Sequence, residues 1–382
     1  MKKVAIIGSS EFQIPLIVAA KKQGFETHVF SWGGNEALAD HFYKISIIEK
    51  QAILEKCKSI GVDGVCSIGS DLANITVNYV ASNLGLITNS FDCVENTTNK
   101  HKMRMHLVKH NLPSPKFHYL GEKSTFKPDF YPLIVKPVDR SGSRGINFVD
   151  SSVNIQSAVD SAFSESFSKE VLMEEYIDGR EFSVESISFD GMHEILQITE
   201  KFTTGKPGFI ERGHTCPARV SNTEKSLIED LVLQVLKAFD VSNGASHTEL
   251  KINSKGEIFI IEIGSRMGGD YIGSDLVYYS TGFDYTRAVL SIAMGEYREH
   301  DYYLSETEKQ NFSAVKFVFN QDDYKSCVSA STINDVDVIH SELKNNVFES
   351  KVRITSSAGR LGHILLTADL AIQDEVLNML GF

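Results

Sequence analysis

Ser246-His247-Thr248-Glu249-Leu250-Lys251-Ile252, the turn Asn253-Ser254-Lys255-Gly256, and Glu257-Ile258-Phe259-Ile260-Ile261-Glu262-Ile263-Gly264-Ser265-Arg266 make up the stretch on which the reading of this chain turns. Two β-rich runs around a glycine-containing loop predict a hairpin. A four-residue loop would pair Ile252 with Glu257, Glu249 with Ile260 and His247 with Glu262. Side chains alternate faces along a strand, so Glu249 and Glu262 would share one face as diagonal neighbours, roughly 7–8 Å apart. That separation accommodates one or two hard cations, whereas a one-residue slip would put the acids on opposite faces. Mg²⁺ favours oxygen ligands and commonly takes one or two protein carboxylates, leaving the rest to water and phosphate. A Mg–nucleotide site is the sharper reading. A half-exposed hairpin with two solvated glutamates is the plainer one for the pair by itself.

The chain has 382 residues, a length for which two or three domains are expected. Hydrophobic residues make up 42% and charged residues 23%, the balance of a globular protein. A formal net charge of −12 argues against nucleic acid or an anionic membrane as the main partner, since both favour basic surface. Cys57, Cys66, Cys93, Cys216 and Cys327 show no CxxC spacing, which suits a reduced, cytoplasmic protein. The sequence opens on the strand-like Val4-Ala5-Ile6-Ile7 without a signal-peptide pattern, and no apolar run approaches the ~20 residues of a membrane span.

The first ninety or so residues alternate strand and helix. Strands are expected at Lys3–Gly8, Thr27–Phe30 and Gly64–Ile68, with helices at Phe12–Gln23, Ala52–Ile60 and Ile75–Leu84. This alternation predicts a parallel sheet with helices on its faces. Gly8-Ser9-Ser10 lacks the GxGxxG pattern and reads as a simple tight turn. A basic amphipathic helix follows over Asn99–Asn111 and stops at Leu112-Pro113-Ser114-Pro115. The stretch Tyr131–Met294 is strand-rich, with helices near Ile155–Phe167 and Glu224–Phe239. Beyond it come short β runs at Val315–Phe319, Lys351–Thr355 and His363–Thr367, and a helix near Ile372–Met379. The expected organisation is an N-terminal α/β domain over 1–93, a two-part nucleotide domain over 94–295 with a lid at about 115–180, and a small β-rich domain over 296–382.

Pro132-Leu133-Ile134-Val135-Lys136-Pro137 delivers a lysine at a strand end, and Ser141-Gly142-Ser143-Arg144-Gly145 follows. Glycines let backbone N–H groups approach an anion closely, and Lys136 adds a point charge. The order GxxxxGK[ST] is missing and the loop leads to a strand, so this is no P-loop. A hairpin with a mobile basic tip fits as well. Val171–Glu175 runs into Tyr176-Ile177-Asp178-Gly179 and restarts at Arg180-Glu181. Such a segment could offer backbone donors and acceptors to an adenine edge, with Glu181 for ribose hydroxyls; alone it is an ordinary hairpin.

Taken together, the order and spacing of Lys100, Lys136 with its glycine loop, Glu174-Glu175-Tyr176-Ile177, Glu249, Glu262 and Arg266 resemble the ATP-grasp superfamily, as in biotin carboxylase, carbamoyl-phosphate synthase and D-alanine–D-alanine ligase. The resemblance implies ATP and Mg²⁺ (or Mn²⁺) as cofactors. It places phosphate lysines at Lys100 and Lys136, a closing loop at Ser141, Gly142, Ser143 and Gly145, and an adenine hinge at Glu174, Glu175 and Ile177. It places a ribose acid at Glu181, metal-binding acids at Glu249 and Glu262, and the family's catalytic arginine at Arg266. Many relatives carry Glu-x-Asn, the asparagine being a further metal ligand; here that position is Gly264.

Glu200-Lys201-Phe202-Thr203, Gly208-Phe209-Ile210-Glu211-Arg212-Gly213-His214-Thr215-Cys216-Pro217-Ala218 and Arg266-Met267-Gly268-Gly269-Asp270 resemble the L-amino-acid ligases that make dipeptides. That resemblance implies Glu211 and His214 facing an amino acid, and Arg266, Gly268 and Gly269 holding its carboxylate or an acyl phosphate. A carboxylate recognises an ammonium and a guanidinium binds a carboxylate bidentately, so the residue types suit the chemistry. The expected activity is an ATP-dependent carboxylate–amine ligase working through an acyl phosphate on small-molecule carboxylate and amine substrates, with a homodimer in keeping with relatives. The alternatives are phosphorylation of bicarbonate or a formate-type carboxylate, and a nucleotide-binding protein whose catalysis has decayed. Ser356–Ile364, with its Arg360-Leu361-Gly362-His363, reads as a structural turn between strands.

Overall fold

The computed structural model describes residues 1–121, 128–303, 311–343, 354 and 356–382. Strands β1 (Lys3–Ile7), β2 (Glu26–Phe30), β3 (His41–Tyr43) and β4 (Gly64–Cys66) form a parallel sheet in the order β3-β2-β1-β4. Helices α1 (Ile14–Lys22) and α2 (Lys50–Ile60) link them and α3 (Asp71–Leu84) follows β4, as the alternation predicts. Both faces of β1 are buried, Val4 and Ile6 against α1 and Ala5 and Ile7 against α2 and α3, which explains its unbroken apolar run. Ser70 caps α3 by accepting the Ala73 N–H, and Gly85 ends it in the left-handed conformation. Asp71 thus starts a helix that points at the rest of the molecule.

Two helices then cross to the next layer: α4 (Phe91–Thr98) and α5 (Lys100–Lys109). Asn99 caps α5 through the Lys102 N–H, and this sets Lys100 at the helix's first position. Strands β5 (Phe117–Leu120), β6 (Leu133–Pro137), β7 (Asn147–Val149) and β8 (Val171–Glu175) form a small antiparallel sheet, ordered β5-β8-β6-β7 and backed by α6 (Ile155–Glu165).

The largest sheet is antiparallel. Its strands are β9 (Arg180–Phe189), β10 (Met192–Thr203), β11 (Glu211–Cys216), β12 (Gly244–Ile252), β13 (Ile258–Gly264), β14 (Asn311–Val318), β15 (Val336–Glu342) and β16 (Gly362–Asp369), ordered β13-β12-β9-β10-β11-β14-β16-β15. Helix α7 (Asn222–Ala238) covers one face at the β12–β13 end and opens with a Ser221–Glu224 capping box. Phe182, Val184, Leu250, Ile260 and Ile263 pack under it with Met103 and Leu107 of α5. Helices α8 (Val277–Thr281) and α9 (Tyr285–Ala293) lie on the other face, and α10 (Gln321–Ala330) and α11 (Gln373–Leu380) cover the far end. The β strands beyond Glu296 extend this sheet through β11–β14 pairing instead of making a sheet of their own. The strand expected at Lys351–Thr355 lies outside the described residues, Ile354 apart.

Candidate active site

One cleft of about 310 Å³ runs between the small sheet, the large sheet and the start of α3. Its floor is the hairpin β12–β13, and the register there corrects the expectation. Ile252 faces Ile258 and Leu250 faces Ile260, yet Glu249 faces Glu262 and His247 faces Gly264. The turn therefore takes one residue more than expected, which alone would have sent Glu262 to the other face. A bulge restores it. Ile261 is the extra residue between the two registers, so Ile260 and Ile263 fill the core while Ile261 and Glu262 both line the cleft. The acids end up directly opposite each other, a closer arrangement than the diagonal one.

Each acid already has cationic partners. Lys201 Nζ lies 2.6 Å from Glu249 Oε1, and His247 Nε2 lies 3.1 Å from the same oxygen. Lys100 Nζ donates to Glu262 Oε1 and to the Arg140 carbonyl, both at 3.0 Å. Burial opposes charge on Glu249, but Lys201 and His247 hold its pKa well below the usual carboxylate range. Burial also works against a charged His247; Glu185, whose carboxylate meets its Nδ1, outweighs that and raises the pKa to about 9. Glu181 sits between Lys201 (3.4 Å) and Lys251 (3.3 Å), its register neighbours on β10 and β12. A row of alternating charge thus crosses three adjacent strands.

At the other wall Lys136 is buried at the end of β6, its Nζ 2.6 Å from Glu174 Oε2, while Arg104 Nε of α5 lies 2.7 Å from Oε1. Burial lowers the Lys136 pKa, with Arg104 and Lys100 adding to the effect against Glu174. Glu174 is thus held between Lys136 and Arg104. The neighbouring Glu175 accepts from the Lys116 N–H, and its own N–H goes to the Lys116 carbonyl at 2.8 Å. Ile134, Ile146, Ile177, Ile261 and Pro115 give this end an apolar lining suited to a flat ring. Ser141, Gly142 and Ser143 border the cleft, and Ser143 Oγ donates to the Phe209 carbonyl at 3.0 Å. Gly145 stands back from the cleft, close to Pro137 and Glu165.

The far end is built from segments distant in sequence. Arg266 Nε and Nη2 grip Asp71 at 2.7 and 3.2 Å, and Nη1 donates to the Met267 carbonyl. Arg360 Nη2 bridges Glu211 Oε2 (3.2 Å) and Asp270 Oδ2 (2.8 Å) and stacks its guanidinium on Phe317. Ser357 Oγ donates to the same Glu211 oxygen at 2.9 Å. His214 is buried with Nε2 3.6 Å from Asp270 Oδ2; burial lowers its pKa despite that carboxylate. Asp270 and Tyr271 both take positive φ, 53° and 65°, a strained pair that the Arg360 contact helps hold. Gly269 borders the cleft, whereas the Gly268 N–H donates to Glu185 Oε2 at 2.9 Å and steadies the partner of His247.

The cleft thus gathers Lys100, Lys136, Glu174, Glu175, Ile177, Glu181, Glu211, His214, Glu249, Glu262, Arg266 and Gly269. Sequence reasoning missed Asp71, Arg104, Glu185, Lys201 and Arg360. Arg360 belongs to the segment read as a mere turn. The alternating charges on β9, β10 and β12 were a usable signal for Lys201; nothing local marks Asp71 or Arg104.

Residues 129–275 match the ATP-grasp domain family. Over that stretch the chain is similar to ATP-grasp domains and has their fold. D-alanine–D-alanine ligase of Flavobacterium psychrophilum is 29% identical over 184 residues, 45% of this chain and 55% of that protein. Alanine–anticapsin ligase of Bacillus subtilis is 26% identical over 251 residues, 58% of this chain and 52% of the relative. The chain spans about half the length of the curated relatives it matches. Among solved structures, the L-amino acid ligase from Bacillus licheniformis superposes with a TM-score of 0.79 at 22% identity, covering 99% of this chain and 98% of the other. At that identity the likeness is one of fold. Two carboxylates on one wall are an all-oxygen donor set that fits Mg²⁺, and the buried lysines around them suit phosphate.

Proposed function

We propose that this protein is an ATP-dependent carboxylate–amine ligase whose carboxylate substrate is an amino acid. One observation carries the reading: the Glu249–Glu262 pair, the lysines and an Arg266 end with its own acid–guanidinium cluster line a single cleft. Bound Mg²⁺ would be held by Glu249 and Glu262 and would offset charge on phosphate oxygens. Lys100 and Lys136 neutralise the same phosphates, and the Ser141–Ser143 segment closes over them. A substrate carboxylate oxygen attacks the γ-phosphorus, the bond to the bridging oxygen breaks, and ADP leaves. The amine nitrogen then adds to the acyl carbon and phosphate departs with the C–O pair. Burial raises the Glu211 pKa against the pull of Lys201, so Glu211 is suited to take the proton the amine sheds. Arg266 faces the transferring phosphoryl group and the acyl oxyanion.

The acceptor end favours an amine substrate over bicarbonate. Glu211 and Asp270 meet at this end, and carboxyl groups suit an ammonium better than an anion. The names of the D-alanine and alanine–anticapsin ligases agree with an amino-acid substrate. A coupled ADP-release screen over amino-acid pairs, with mass detection of the product, tests this. Release should need an amino acid and an amine, and Glu249→Gln or Arg266→Ala should lower it by about 10² or more. Bicarbonate-dependent release without amino acid, or ATP binding without turnover, would refute it.

A further inference from the structure

The N-terminal sheet holds a second group of ligating side chains, none of which lines the cleft. Glu26 and His28 are two apart on β2 and so share a face, and His41 is the register partner of His28 on the edge strand β3. Glu26 Oε1 lies 3.0 Å from His28 Nε2 and 3.1 Å from His41 Nε2, and the three ligand atoms all fall within 4.8 Å of one another. Among the described residues no other set of three His, Cys, Asp or Glu side chains converges in this way.

We propose that Glu26, His28 and His41 form a binding site for a divalent transition-metal ion of the zinc type. Two imidazoles and a carboxylate are the donor set such ions prefer, with water completing a tetrahedron on the open side. Mg²⁺, which wants oxygen, is a poor fit here. The second shell is in place as well. Tyr43 OH sits 3.1 Å from His28 Nδ1, and this bond leaves the buried Nε2 to face the site. Nε2 is itself buried and has no well-aligned hydrogen bond, although the Glu26 oxygen is near. Lys3, the neighbour of Glu26 on β1, turns its ammonium 3.0 Å from the Ile60 carbonyl. In the metal-free arrangement the two imidazoles stack with centroids 4.7 Å apart. His28 is locked by burial, but the His41 side chain is half exposed, so its ring can tilt until both nitrogens aim at one ion. The ion would then clamp the edge strand β3 onto β2.

Zinc titration by calorimetry on the full chain tests this, in a Glu249→Gln/Glu262→Gln background that removes the cleft acids. One equivalent of Zn²⁺ should bind. Adding His41→Asn or Glu26→Gln should weaken it about tenfold or more, and Tyr43→Phe by about tenfold. Co²⁺ should give visible d–d absorption that His41→Asn abolishes. No uptake in the double variant, or uptake and cobalt bands indifferent to His41→Asn, would overturn the proposal. His41 lies on the surface, and a melting curve matching the parent's establishes that its variant is folded.

Discussion

His247 shows how much a single side chain is asked to do. It lies between Glu185 and Glu249, and the pairing with Glu185 raises its folded pKa from 6.5 to about 9. A raised pKa means that the charged form is favoured by folding. Its contribution is therefore complete below about pH 6.5 and is lost as the pH climbs through about 9. The metal-free protein should lose roughly 3 kcal/mol of stability across that window, read by urea unfolding at a series of pH values. His247→Gln should flatten the slope; a variant with an unchanged slope would show that another group titrates. Residue identity marked out many of the groups that the cleft brings together. Glu262 and Lys136 stand out because they interrupt otherwise apolar strands, and Glu249 and Arg266 stand out by their spacing from Glu262. Asp71 and Arg104 do not stand out, because their roles come from what the fold brings beside them.

Among the elements, the β12–β13 hairpin was legible in kind and wrong in register. Periodicity reveals a strand but cannot reveal an inserted residue, and in Ile258-Phe259-Ile260-Ile261 every residue is apolar, so either face was open to each. The same hairpin explains Gly264. A Cβ there would lie 3.3 Å from Arg266 Nε and 3.4 Å from Asp71 Oδ1, so the space for a longer side chain is taken by that ion pair. Gly264→Ala should be tolerated with a small shift of the guanidinium. Gly264→Asn should displace the Arg266–Asp71 pair and cut ADP release by about 10²-fold, without easing the Mg²⁺ requirement. Higher activity at low Mg²⁺ in the Gly264→Asn variant would mean instead that a missing ligand limits the enzyme.

For the whole molecule, strand–helix alternation foretold the parallel sheet, since each local pattern there matches its place in the fold. The union of the C-terminal strands with the central sheet was not foretold. It depends on β11 meeting β14 across about a hundred residues of chain, a pairing that no local pattern encodes. Gly213 sits at that seam. A Cβ added to it would run into the Val315 carbonyl and the Phe382 ring, which stacks on Phe202 with centroids 4.2 Å apart. Gly213→Ala should cost about 1–3 kcal/mol in urea unfolding and should also reduce turnover, because β11 carries Glu211 and His214. A variant as stable as the parent would mean that the seam yields easily.

The lysine pairing of Glu249 and Glu262 has a thermodynamic consequence. Without ligands, the cleft is an internal salt in which each acid is matched by an ammonium. A metal ion arriving alone would take Glu262 from Lys100 and leave that ammonium buried without its carboxylate; a nucleotide arriving alone would take Lys100 and strand Glu262. Only arrival of both lets Lys100 and Glu262 each exchange one partner for another. Metal and nucleotide should therefore bind as a reciprocal pair, each tightening the other by the same factor. Titrations of ATP with and without Mg²⁺, and of Mg²⁺ with and without a non-hydrolysable nucleotide, would read that factor from both directions.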